Sequence, residues 1–70
     1  MKRTSVIRLG VQQASIISDI LREQYSFYPK KASKFSLKET ADGHVLYCDG
    51  KLDTEFFGQI MYILGMKMKY

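Results

Sequence analysis

A single cysteine, Cys48, leaves this chain of 70 residues without an internal disulfide. Chains this small bury only about 60% of the surface that their unfolded state exposes. The fold must therefore rest on a compact core or on association with another chain. Proline is almost as scarce: Pro29 stands alone, and Gly10, Gly43, Gly50, Gly58 and Gly65 are isolated from one another. That spacing excludes a glycine-rich phosphate loop and any flexible linker, so residues 1–70 read as one domain. Long apolar runs are missing too. None approaches the ~20 residues of a membrane span, and the stretch from Ser5 to Leu9 behind Met1-Lys2-Arg3 is too short for a signal peptide. The unpaired Cys48 fits a reducing compartment, and the expected location is the cytoplasm, with no membrane involved.

Histidine is present once, at His44. In a strand it stands four residues from Cys48 on the same face, about 13 Å away at ~3.3 Å per residue. The two form neither a nucleophile pair nor a shared metal site. They read as a surface or edge histidine and a buried, small-hydrophobe cysteine. Asp49, Asp53 and Glu55 read as a turn residue, a helix cap and a first-turn acid favoured by the helix dipole. No enzyme, cofactor or metal is expected on these grounds.

What the chain does have is positive charge, in one place. Tyr25 to Lys38 holds Lys30, Lys31, Lys34 and Lys38, no acid, and four of the nine aromatics, Tyr25, Phe27, Tyr28 and Phe35. That segment carries the whole net charge of +4. Cations mixed with aromatics suit a phosphate-bearing polymer. A hydrophobic content of 46% argues against disorder.

The periodicity of the chain alternates between two and three-to-four residues. Thr4 to Leu9 reads as a strand, with Ser5, Ile7 and Leu9 on one face and Val6 and Arg8 on the other. Val11 to Tyr25 reads as a helix with Ala14, Ile17, Ile20 and Leu21 on its apolar stripe, over before Pro29. Lys34 to Glu39 and His44 to Cys48 read as a hairpin about Asp42-Gly43. A second helix starts at a cap, Asp53, carries Phe56, Phe57, Ile60, Ile63 and Leu64, and ends at Gly65. Gly58 inside it fits equally a close approach of backbone to the sheet or a partner and plain sequence drift. The alternating tail Met66 to Tyr70 reads as a last strand.

The expected fold is α+β, with the ferredoxin-like order β-α-β-β-α-β: a two-layer sandwich of a four-stranded antiparallel sheet with both helices on one face. The first and third strands are then central. Without the last strand the fold is a three-stranded sheet under two helices. The order is similar to that of small metal-carrying domains and RNA-recognition domains. The paired cysteines of the former and the third-strand aromatics of the latter are missing, and no family membership follows.

On that layout the open sheet face gathers Arg8, Lys34, Lys38, Lys67 and Lys69 with no acid, around Val6, Val45 and Tyr47. Tyr28, Lys30 and Lys31 lie in a loop beside it. Three readings follow. The face docks a protein partner or a second copy through its apolar centre, with lysines as a polar rim. It binds nucleic acid with little sequence specificity, lysines on phosphates and Tyr47 or Tyr28 on bases. Or its lysines only guard two edge strands against aggregation. The leading expectation is a small non-enzymatic interaction module that docks a protein or self-associates through the open sheet face.

Overall fold

The computed structural model describes residues 2–68. Its elements are β1 (Arg3–Leu9), α1 (Val11–Phe27), α2 (Pro29–Ala32), β2 (Phe35–Thr40), β3 (Gly43–Asp49) and α3 (Thr54–Met68). The strands form one antiparallel sheet in the order β1-β3-β2. One face of it, through Leu9, Phe35, Leu46 and Cys48, shares a core with Ala14, Ile17 and Ile20 of α1 and Phe56, Ile60 and Leu64 of α3. Ile17, Ile20, Leu46, Cys48 and Ile60 are fully buried at its centre.

The four-stranded ferredoxin-like layout is overturned. The observed order is β-α-α-β-β-α with three strands. Met66, Lys67 and Met68, expected to open a fourth strand, continue α3; Lys69 and Tyr70 lie outside the described residues. Met and Lys are good helix formers, and Gly65 costs about 1 kcal/mol inside a helix without being obliged to end it. Lys67 also suits a helix C-terminus electrostatically and reaches Glu23 of α1 at 3.7 Å. With no fourth strand among the described residues, β1 is an edge and only β3 is central.

Two further differences have local causes. Tyr28, the residue before Pro29, leaves helical angles at φ −133° and ψ 67°. Pro29 then opens the single turn α2 at the first helical position, where its missing N–H costs nothing. In β1 the pairing with β3 skips a residue between Ser5 and Ile7. Such a bulge shifts the phase of a strand. Val6 packs against the core and Leu9 is buried, whereas Ile7 is 36% exposed. Of the face shared by Ser5, Ile7 and Leu9, Leu9 is buried as its inward placement requires, while Val6 and not Ile7 packs on the core.

The helix boundaries have visible causes. The Gly10 N–H donates to Gln13 Oε1 at 3.0 Å, and the Phe56 N–H donates to Asp53 Oδ1 at 3.1 Å, the expected cap. Three contacts tie the C-terminal part of α1 to α3. Tyr28 meets Phe56 edge-on at 5.9 Å, Gln59 Nε2 donates to the buried Gln24 Oε1 at 3.2 Å, and Lys67 meets Glu23. No helix among the described residues is long and apolar enough to cross a membrane.

Candidate functional site

Cross-strand register decides which side chains share a face. Opposite Cys48 and Leu46, which point into the core, stand Phe35 and Leu37 of β2. The alternate set faces away: Arg3 against Asp49; Ser5 and Ser36 against Tyr47; Arg8 and Lys38 against Val45. No helix among the described residues covers this outer face.

It is basic but not free of acid, as the sequence suggested. Arg8 lies 3.7 Å from Asp42 and Arg3 lies 3.7 Å from Asp49. Nor does it have a bare apolar centre. Val6 has turned inward. Val45 is only 5% exposed although no helix among the described residues lies over it. Arg8 and Lys38 stand directly opposite it on the flanking strands, and the aliphatic stems of such side chains shield an apolar neighbour from water. Tyr47 carries the Arg3 guanidinium 5.7 Å from its ring centre.

The remaining expected site residues divide between two places. Lys67 is on α3, paired with Glu23 in the helix layer, and does not join the sheet face. Lys69 lies outside the described residues. Tyr28, Lys30, Lys31 and Lys34 gather at one end of the sheet. Tyr28 packs on Phe56 and has Lys31 Nζ 5.9 Å from its ring centre. Lys31 reaches Asp53 at 3.7 Å. Lys30 and Lys34 are exposed, and so is Lys38 farther along β2; none of the three has a carboxylate at salt-bridge distance among the described residues.

That end carries more charge than the sequence suggested. β1 and β2 start where β3 finishes: the Gly50 N–H donates to the Lys2 carbonyl at 2.8 Å on one side, and the Asp49 N–H to the Lys34 carbonyl at 2.8 Å on the other. Lys2, Arg3 and Lys51 thus come beside Lys30, Lys31 and Lys34, six cations against Asp49, Asp53 and Glu55. Lys2 and Arg3 were missed because they lie far in sequence from Lys30, Lys31 and Lys34, and Lys51 because Asp49 and Asp53 flank it. The α3 N-terminus adds the positive end of its dipole. Asp53 there holds its carboxyl below the usual range. The Phe56 N–H is the main cause, opposed by partial burial and helped by Lys31, the Glu55 N–H and Lys34.

A second feature lies on the opposite side of the sheet. Val11, Ala14, Ser15 and Ser18 on one face of α1, with Leu37 of β2 and His44 of β3, line an open groove of about 320 Å³. His44 Nδ1 is buried without a hydrogen-bond partner among the described residues. Cys48 is buried, its thiol 3.7 Å from the Asp49 carbonyl oxygen. Among the described residues no three His, Cys, Asp or Glu side chains are placed to hold a metal ion. No protein-family model matches the chain, and no curated protein or solved structure matches it either.

Proposed function

We propose that this chain is a small non-enzymatic interaction module that docks an acidic protein through its cationic strand end and the adjoining sheet face. One observation supports the reading above others. Lys2, Arg3, Lys30, Lys31, Lys34 and Lys51 converge at one end, although the sequence separates them into three segments. Complementary charge of that kind governs encounter rate and partner choice. Self-association through the sheet face is disfavoured, because a two-fold contact about β3 brings Arg8 and Lys38 toward their own copies. Stacking of bases on that face is disfavoured as well, because Arg3 already covers Tyr47.

Titration of labelled polyglutamate and a labelled single-stranded oligonucleotide of equal charge, at low and at moderate salt, tests this. Polyglutamate binding that weakens with salt and drops about tenfold or more in a Lys34→Glu, Lys51→Glu double variant is the expected outcome. An oligonucleotide that binds far more tightly than polyglutamate replaces the protein partner with a nucleic acid. Failure of both to bind removes the proposal.

A further inference from the structure

We propose that the groove between α1 and the free edge of β2 accepts an extended peptide with alternating apolar and acidic residues, added to the sheet as a fourth strand. The inference rests on the acidic-partner reading and names the form that the partner takes.

The two sheet edges are not equivalent. β1 is bulged between Ser5 and Ile7, whereas β2 pairs with β3 without interruption from Phe35 to Thr40. Bulges spoil an edge as a template for another strand, and a regular edge remains one. The Lys34 carbonyl points toward β3, where it accepts the Asp49 N–H. In an antiparallel ladder the direction alternates along the strand. The N–H and C=O groups of Phe35, Leu37 and Glu39 therefore point away from the sheet, along the open edge.

A strand placed there would have its side chains sorted by the two faces. One set would enter the groove beside Leu37, against Val11, Ala14, Ser15 and Ser18 of α1. Its volume is that of a small ligand pocket, largely apolar with a few polar groups. His44 Nδ1, from a residue that lines it, has no partner among the described residues, and a buried polar atom is ordinarily paired. The other set would lie beside Ser36 and Lys38 on the outer face, with Lys34 next along the chain. Lys34 and Lys38 have no carboxylate at salt-bridge distance among the described residues, so acids are favoured on this side. Glu39, which shares the groove side with Leu37, repels an acid there. Backbone pairing then supplies affinity, and the alternate side chains supply selectivity.

Two peptides of one composition test the inference: four Glu-Val repeats, and four Glu followed by four Val. The alternating peptide is expected to bind about tenfold more tightly and to slow hydrogen exchange at the Leu37 and Glu39 amides. Ser15→Trp, at an exposed helix position, fills the groove and is expected to erase that preference while polyglutamate still binds. Equal affinity for the two isomers, or no added protection along β2, overturns the inference. If polyglutamate binds in that case, the acidic-partner reading survives; if neither peptide nor polyglutamate binds, both fall.

Discussion

Asp53 joins two roles in one side chain. It caps α3 through the Phe56 N–H and pairs with Lys31, tying the last helix to α2. Its carboxyl is held below the ordinary value, chiefly by that N–H. A depressed folded pKa gives stability that is fully present above the unfolded value, about 3.9, and is lost as pH falls through the folded one. The wild type is therefore expected to lose stability below about pH 4, and Asp53→Asn, which still caps, to show a flatter acid limb in thermal melts followed by circular dichroism. Identical profiles for the two would deny the carboxylate this part. The cap was legible, because Asp before an apolar helical stripe has one obvious use. The inward turn of Val6 was not: a bulge depends on how β1 meets β3, and the alternation of β1 by itself gives the opposite phase. The sequence places His44 as a surface or edge side chain, and its groove forms only when α1 lies across the sheet.

Among the elements, α3 taught the most. Its apolar stripe was plain in the sequence, yet its end was misplaced, because Gly65 followed by alternating Met and Lys resembles a stop and a strand. Among the described residues no neighbouring element lies within 4 Å of a Cβ added at Gly58 or Gly65. The close approach that Gly58 would allow is absent among the described residues. Gly58→Ala and Gly65→Ala are each expected to raise stability by about 0.5–1 kcal/mol, seen as a higher urea midpoint. Gly43→Ala is expected to lower it. Gly43 has φ +143°, and its added Cβ would stand 2.9 Å from the Leu9 carbonyl oxygen. A lower midpoint for Gly58→Ala would mean that its outer side is occupied. The turn α2 escaped notice for a different reason: four residues are too few to show a helical period, and only Pro29 marked its start.

For the molecule as a whole, the class α+β and the helices packed on one face were legible from periodicity and chain order. The strand count and the location of the charge were not, because both depend on pairings between distant residues. Cys48 offers a test of the global core. It is fully buried against Leu46 and both main helices within one cluster. Its reaction with a chromogenic disulfide reagent is expected to be at least about a thousandfold slower in the native protein than in denaturant, gated by whole-molecule unfolding. Fast labelling that ignores mild denaturant would show that the core opens locally. The unequal sheet edges also bear on stoichiometry. A sheet with two regular edges can grow at both, as in a fibre. Here the bulge in β1 closes one direction and leaves β2 the other. Two copies joined through β2 would present only the bulged β1 edges, so growth between copies stops at one pair rather than an open-ended polymer.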